Sequence, residues 1–340
     1  IMGGSRRRNL CLLATLSATL LVSSSAFISP SLPLSTRRDP GSSIINRRAK
    51  SLSLKLSAGE SQTPTFLILP GFGNAAVDYV NPFGQGEELS IKNSLSKRGV
   101  EVEVMPLDRI EWLNVLRGIF SLSFWLGKTT PYEPAYGWYV ERARQTVSRV
   151  SQEAGSRGVV IVGHSAGGWL GRAVIGDAEW LSGESIKALV TLGAPHFPPP
   201  TDAGSDIKDM TQGALTYTHE TFPGAHVLEY GMACISVGSD GIRGDASAER
   251  GSPERSAYAS YRMVCGEGSG VGDGVVPLSS CHLKGAEEIT MSCYHSISPV
   301  GGPFEETRGV WYGSDSAIDE WLQPLWKAIK VPEPSVQKEA

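Results

Sequence analysis

The sequence has few cysteines and none of the spacings typical of a bound metal. Its 340 residues include five cysteines, and they form neither a Cys-x-x-Cys pair nor a Cys/His ligand pattern. Metal sites built from these residues need such spacings, so we expect no bound metal. Cys234, in "ACISVG", is predicted to be a buried thiol on a strand. Whether Cys281 and Cys293 form a disulfide stays open.

The sequence also lacks an excess of basic residues where a folded domain is expected. Residues 1–57 hold nine of the 31 basic residues and one of the 35 acidic ones. The remainder therefore carries 22 basic and 34 acidic residues, a net charge near −12. Such an acidic body is a poor nucleic-acid binder. Its roughly 280 residues contain no internal repeat and suffice for one large domain with a buried core.

The N-terminal residues have the composition of targeting segments. Three arginines at 6–8 precede an uncharged, mostly apolar run from Leu10 to Val22, and small residues follow it. This order predicts a signal peptide over 1–26, because the run is short for a bilayer span. A short N-terminal anchor is the alternative.

A second targeting segment follows the signal peptide. Residues 27–57 are rich in serine and basic residues but contain one acid, which predicts a disordered transit peptide. The pair resembles the two-part plastid address of algae whose plastids lie behind extra membranes, in which a phenylalanine, here Phe27, follows the signal cleavage point. This implies a plastid location. Secretion or an endomembrane location is the alternative.

From residue 65 onward, short apolar runs alternate with longer amphipathic ones. Strands are predicted at 65–70, 100–105, 158–163, 186–193, 233–238 and 287–291, and helices at 86–97, 138–154, 167–176 and 315–330. Alternating strands and helices predict an α/β fold with a mostly parallel sheet flanked by helices. We assign this domain to 58–332 and predict a disordered tail over 333–340.

Two segments interrupt this alternation. Residues 108–137 are rich in aromatics around "LNVLRGIFSLSFWLGK". They fit either an inserted helix packed on the core or a small cap over an apolar pocket, with peripheral membrane contact through exposed aromatics. Residues 239–256 are polar and glycine-rich, which predicts a mobile surface loop.

The stretch "VVIVGHSAGGWLGRA" contains the pattern Gly163-His164-Ser165-Ala166-Gly167 between a predicted buried strand and a helix. A G-x-S-x-G pattern in that setting is typical of a nucleophile elbow, where flanking glycines permit the sharp turn and the serine is exposed above the sheet. The helix N-terminus beneath it favours developing negative charge. Ser165 is therefore the predicted nucleophile.

A serine hydroxyl needs a base to take its proton, and the expected chain order is Ser, acid, His. Asp273, between glycines in "GVGDGVVPLSS", is the predicted acid. His295, in "SCYHSI" just after the 287–291 strand, is the predicted base, because a loop following a strand can reach over the sheet edge.

Other candidates remain for these roles. His282 precedes the 287–291 strand, on the expected wrong end of the sheet, and Asp240 is the alternative acid. His196 comes before the acid in the chain; it and His164 are candidates for lining the site. The remaining histidines, His219 and His226, are predicted on the surface.

The reaction also needs two N–H donors for the oxyanion that forms when serine adds to a carbonyl. One predicted donor is the amide of Ala166. The other is the amide of Phe72, in "LPGFGN", where Gly71 and Gly73 let the main chain approach closely.

With "LPGFGN", "VGHSAGGWLGRA", "TLGAPH", "GDGVVP" and "YHS" in this order, the chain resembles the serine α/β-hydrolases. More narrowly, it looks like plastid hydrolases of plants and algae that share "GHSAGGWL" and "GDGVVP", and it is similar to lipases and GPI inositol-deacylase-like proteins. Bacterial triacylglycerol lipases have a D-G-x-V segment, a non-catalytic histidine after Ser-Ser, and then the catalytic histidine, a layout that favours His295 over His282. The chain departs from the pattern at Pro70, where such lipases have histidine.

The resemblance implies a serine-dependent hydrolase of carboxylic esters, with lipid acyl esters as substrates and a Ser165–His295–Asp273 triad. This chemistry requires no cofactor or metal. An acyltransferase using the same triad and a GPI inositol-deacylase-like activity are alternatives. A ligand-binding hydrolase fold without catalysis is a third.

Overall fold

A computed structural model of the protein describes residues 63–84, 86–200, 207–297 and 309–331. The predicted targeting segments over 1–57 and the tail over 333–340 lie outside this part of the chain. Within it, no helix has both the length and the apolar character needed to cross a membrane.

The strands form a six-stranded sheet in which every neighbouring pair is parallel. In chain order, all strands of the described residues are β1 (Thr65–Leu69), β2 (Val102–Val104), β3 (Val159–His164), β4 (Ile186–Leu192), β5 (Ala233–Ser239), β6 (Ile242–Arg243), β7 (Val271–Gly272) and β8 (Glu287–Met291). The sheet order is β2-β1-β3-β4-β5-β8, and β6 and β7 form a separate antiparallel ribbon. Parallel strands place their carboxyl ends at one edge, which is where ligands bind in open α/β sheets.

Helices cover both faces of the sheet. They are α1 (Ile91–Ser96), α2 (Leu122–Trp125), α3 (Gly137–Ala154), α4 (Ala166–Ile175), α5 (Ala178–Leu181), α6 (Ala214–Thr221), α7 (Pro253–Cys265) and α8 (Asp319–Ile329). Tighter 3₁₀ turns connect several of them, including a twelve-residue run over Arg109–Phe120.

The core has one layer on each face because successive strand residues point to opposite sides. Leu67, Leu69 and Ile161 pack with α3 and α4 on one face. Phe66 and Ile68 pack with α1 and α8 on the other. Burying one such side chain contributes about 1.5–3 kcal/mol, so the two layers hold the central strands rigidly.

The fold corrects three predictions of local structure. The helix predicted over 86–97 is a 3₁₀ turn, Glu87–Leu89, followed by α1, because the Ser90 hydroxyl accepts the Asn93 amide and starts a new helix there. The last helix begins at Asp319 rather than at 315. The predicted loop over 239–256 contains β6, which pairs with β7.

Candidate active site

Ser165 lies at the turn between β3 and α4, as the strand–turn–helix pattern predicted. Its backbone has φ 53° and ψ −125°. A non-glycine residue adopts positive φ only when its surroundings enforce it, at a cost of about 1–3 kcal/mol. The side chain is half-buried, whereas the residues on either side of it are buried.

Close packing explains the glycines around Ser165. A Cβ on Gly163 would lie 2.5 Å from the Gly167 carbonyl oxygen, and one on Gly167 would lie 2.1 Å from the Leu69 carbonyl oxygen. Gly168, which the motif did not mark, has the same constraint, since its Cβ would lie 2.4 Å from that of Ala194. The elbow therefore tolerates no side chain at these three positions.

The structure brings Asp273 and His295 together. Asp273 follows β7 and His295 follows β8. His295 Nδ1 lies 2.7 Å from Asp273 Oδ2, and the His295 amide donates to the Asp273 carbonyl oxygen at 2.9 Å. Main chain and side chain of the histidine are thus both fixed on the same aspartate.

The Asp273 carboxylate is buried but fully hydrogen-bonded. Its Oδ1 accepts from the amides of Val275 and Val276, at 2.9 and 2.7 Å, and its Oδ2 accepts from the Tyr312 hydroxyl at 2.9 Å. Burial raises the pKa of Asp273, but the charge and hydrogen bond of His295 and the two amides together lower it below its ordinary value. The carboxylate is therefore ionised at neutral pH.

Tyr312 is a site residue that the sequence did not reveal. Burial and the adjacent Asp273 carboxylate raise the pKa of Tyr312 well above its ordinary value, so its hydroxyl remains a donor. Nothing local in "GVWYGS" indicates this role, since the contact joins residues 39 positions apart.

The Asp273–His295 pair lies beside Ser165. The Ser165 amide donates to the Leu192 carbonyl oxygen at 2.9 Å. At the next residue, a Cβ on Gly193 would lie 2.6 Å from Asp273 Oδ2 and 3.1 Å from His295 Nδ1. The ring of His164 is 4.7 Å from that of His295. Among the described residues, no hydrogen bond joins the Ser165 hydroxyl to His295; such bonds often form only when substrate is bound.

The loop after β1, residues 70–74, contacts Ser165, the predicted nucleophile, directly; it is called the oxyanion loop here after its predicted donor, the Phe72 amide. A Cβ on Gly71 would lie 2.7 Å from Ser165 Cβ. The Gly71 amide donates to the Tyr79 hydroxyl at 2.9 Å, and Tyr139 donates to the Pro70 carbonyl oxygen at 2.7 Å. Within the described residues the Phe72 amide donates no hydrogen bond, so it remains a candidate oxyanion donor. Ala166 opens α4, where helix amides have no intrahelical partner.

His164 is buried between the oxyanion loop and the His295 loop. Its Nδ1 lies 2.8 Å from the Tyr79 hydroxyl, and its Nε2 lies 2.9 Å from the His295 carbonyl oxygen. Burial, and to a lesser extent neighbouring His295, lower the pKa of His164 to about 3. It is therefore neutral and is not a second base.

The other candidates lie away from this pair. His282 bonds to Ser236 and Thr290, and exposed Asp240 accepts from Ser292. His196 has no exposed surface and bonds to Thr191, so it does not line an open site.

The prediction that His226 lies on the surface is wrong. Its side chain is 8% exposed and packs on Phe222 with 5.1 Å between ring centroids. His219 is half-buried against Phe197. Periodicity did not reveal these contacts, because Phe222 lies just outside the helix that precedes His226 and Phe197 lies 22 positions before His219.

Cys234, Cys281 and Cys293 are buried free thiols, and Cys234 lies on β5 as predicted. Burial raises the pKa of Cys234 to about 12 and that of Cys293 to about 12. They are thus unreactive core residues, and Cys281 and Cys293 form no disulfide.

The aromatic segment predicted as a cap is attached to the oxyanion loop. Trp112 is buried, its ring is 5.0 Å from that of Phe72, and its indole N–H donates to the Asn74 carbonyl oxygen at 2.9 Å. Phe120 and Leu122, farther along, are 88% and 73% exposed. The segment therefore packs on the site at one end and presents apolar side chains to solvent at the other.

A parallel six-stranded sheet with a strained serine between β3 and α4, beside an Asp–His pair at the same edge, defines the α/β-hydrolase fold. The predicted fold class and the resemblance to the serine α/β-hydrolase superfamily are confirmed. The narrower likeness to plant and algal plastid hydrolases stays a prediction.

Comparisons with known proteins found one family model and several solved structures that are similar to parts of the chain. Residues 137–238, from α3 to β5, match the PGAP1-like alpha/beta domain. A solved structure of the lipase BlEst2 of Bacillus licheniformis in its mature form is similar, with 14% identity and a TM-score of 0.43 over 69% of this chain and 85% of that one. The esterase domain of a Rhodothermus marinus protein is also similar, with 14% identity and a TM-score of 0.38 over 80% of this chain and 88% of that one. No curated protein matches the sequence.

Proposed function

We propose that the protein is a serine hydrolase that cleaves carboxylic esters, with lipid acyl esters as its substrate class. The observation that supports this most is the arrangement of three groups at one sheet edge. A buried Asp273–His295 pair at 2.7 Å lies beside a strained Ser165, and the Gly71 loop abuts that serine.

In this proposal, His295 takes the proton of Ser165 as the hydroxyl oxygen attacks the ester carbonyl carbon. The carbon–oxygen bond to the leaving alcohol then breaks, and His295 delivers the proton to that alcohol. Water attacks the acyl-enzyme by the same route and releases the acid. Ionised Asp273 keeps the proton on Nδ1 of His295, which leaves Nε2 free to accept, and stabilises the imidazolium when it forms.

The oxyanion of the tetrahedral intermediate is assigned to the amides of Ala166 and Phe72. Pro70 stands where many lipases have histidine, yet Tyr79 and Tyr139 hold this loop by its main chain. A fixed donor needs no reorganisation during the reaction, which is why removing one typically costs about 10²–10³ in rate.

A fluorophosphonate probe tests the chemistry. The proposal predicts that the wild type is labelled on Ser165, that Ser165→Ala is not labelled, and that Ser182→Ala, a change at an exposed serine, is labelled normally. Equal labelling of wild type and Ser165→Ala, or labelling of neither, would contradict the proposal.

Ester hydrolysis across graded acyl lengths then defines the substrate, with an acylated inositol lipid included because of the resemblance noted above. Product analysis with an added alcohol acceptor shows whether the acyl-enzyme reacts with water or transfers its acyl group to the alcohol. Free acid supports a hydrolase, and a new ester shows an acyltransferase.

We further propose that the aromatic segment contacts an anionic lipid surface. Phe120, Leu122 and Leu126 are 88%, 73% and 61% exposed. Arg117 and Lys128, on either side of these side chains, are basic and exposed, and the acidic residues of the 108–137 segment lie outside residues 112–128. Apolar side chains with flanking basic charge fit an acidic membrane interface.

Vesicle sedimentation tests this contact. Phe120→Ser with Leu122→Ser should weaken binding to vesicles containing phosphatidylglycerol by at least about tenfold, since each side chain contributes about 1.5–3 kcal/mol when buried. Leu228→Ser, at a position 47% exposed elsewhere, is the matched control. Equal binding of both variants would contradict a lipid contact here.

For location, we propose delivery to a plastid by residues 1–57. A fluorescent protein fused behind this segment should reach the plastid. Release into the medium would favour secretion instead.

A further inference from the structure

His164, the residue before the proposed nucleophile, joins two loops on which the reaction depends. Both ring nitrogens are within hydrogen-bond distance of a partner, at 2.8 Å from the Tyr79 hydroxyl and 2.9 Å from the His295 carbonyl oxygen. The side chain is 2% exposed, so water does not compete for either bond.

The direction of each bond follows from the donors available. A carbonyl oxygen only accepts, so His164 Nε2 carries the proton and donates to His295. Nδ1 then accepts from the Tyr79 hydroxyl. The Tyr79 oxygen in turn accepts from the Gly71 amide at 2.9 Å and from the Asn74 side-chain amide at 3.2 Å. One directed chain therefore runs from the oxyanion loop to the main chain of His295.

We propose that His164 is a positioning residue that, with Tyr79, fixes the main chain of His295 relative to the oxyanion loop. The proposal rests on the function proposed above and adds a role for a residue that does not touch the reacting atoms. The distance between His295, the proposed base, and the oxyanion loop is then held constant. A shift of about 1 Å in such a separation can lower the rate about 10²-fold.

Two substitutions at position 164 separate the bonds. Glutamine can place an N–H where Nε2 lies and so keep the bond to the His295 carbonyl, but it loses the acceptor for Tyr79. Asparagine keeps an oxygen near Nδ1 but is too short to reach His295. Tyr79→Phe leaves both histidines in place and removes the Tyr79 end of the chain.

We expect His164→Asn to lower kcat by about 10–100-fold with KM within about twofold, because the buried His164 side chain is not accessible to a substrate. His164→Gln should recover only part of this loss, to within about tenfold of wild type, because it keeps the bond to the His295 carbonyl oxygen but not the link to Tyr79. The unfolding temperature of each variant is measured alongside, since a purely structural residue would lower activity only in step with stability.

Several results would overturn the proposal. They are wild-type kcat in His164→Asn, or equal losses in both position-164 variants that parallel their unfolding temperatures. If His164→Asn does not fold, Tyr79→Phe decides: fluorophosphonate labelling of Ser165 slowed about tenfold supports the proposal, and the wild-type rate overturns it. If the proposed hydrolase function is wrong, the result is different, because the fluorophosphonate probe would then not label the wild type at all.

Discussion

Gly71 lies where the oxyanion loop contacts Ser165, the proposed nucleophile, so a substitution there perturbs this contact directly. In Gly71→Ala the new methyl group would lie 2.7 Å from Ser165 Cβ and 3.0 Å from the His164 carbonyl oxygen. Carbon atoms in ordinary contact are about 3.5–4.0 Å apart. The Pro70–Asn74 loop must therefore withdraw from Ser165 by about 1 Å, because the elbow is fixed by its own glycines.

That withdrawal moves the Phe72 amide away from the position of the oxyanion. We expect kcat/KM to fall about 10²–10³-fold, the loss typical of one oxyanion donor. Overpacking should lower the free energy of unfolding by about 1–3 kcal/mol. Tyr79 and Tyr139 oppose the shift, because both bond to this loop.

The assay is hydrolysis of a soluble chromogenic ester, with urea unfolding of the same preparations. Gly270→Ala is the matched control, because its methyl group would meet no atom within 4 Å. Activity of Gly71→Ala within twofold of wild type would refute the placement of the oxyanion loop against Ser165.

Other predictions address the acid, the buried histidine and the alternative base. Tyr312→Phe removes one of the hydrogen bonds to ionised Asp273, so the pKa of Asp273 should rise. Urea unfolding at pH 7 should show a free energy of unfolding lower by about 1.5–3 kcal/mol. The control is Tyr294→Phe, at an exposed tyrosine, and equal stability of the two variants would contradict this prediction. The pKa of His164 is about 3 when folded and near 6.5 when unfolded, so the unfolded chain binds the extra proton and stability is lost as pH falls below about 6.5. Between pH 6 and 4, the free energy of unfolding should therefore fall by up to about 1.4 kcal/mol per pH unit because of this residue. An equally steep fall with pH in His164→Gln would show that His164 is not its source. His282→Ala should leave kcat within about twofold of wild type. A large loss of kcat would instead indicate that His282 is the base.

The central strands were predictable because their residues are buried from both sides. Runs such as "VVIVG" read as continuous β-branched stretches, and β3 and β4 lie within one residue of the predicted bounds. The position of Ser165 was predictable for a related reason, since strand, glycines and helix follow one another in the chain.

What sequence could not supply depends on contacts between distant segments. Tyr79 reaches His164 across 85 positions and Tyr312 reaches Asp273 across 39. Neither hydrophobic periodicity nor a local motif indicates a contact between residues so far apart in the chain. Gly168 is constrained by Ala194 on a different strand's loop, and burial of His226 depends on Phe222. The predicted start of the 86–97 helix was wrong because the amphipathic pattern is continuous there, whereas the N-cap at Ser90 starts the helix at Ile91.

The central claim is that Ser165 and His295 act as one catalytic unit, and a set of variants tests it most directly. We would measure kcat for Ser165→Ala, His295→Ala and the double variant on one soluble ester. Residues that act as a unit show strongly non-additive losses. The account therefore predicts that each single variant loses about 10⁴-fold or more and that the double variant is no slower than Ser165→Ala alone. Losses that multiply, or a His295→Ala enzyme that stays active, would contradict it.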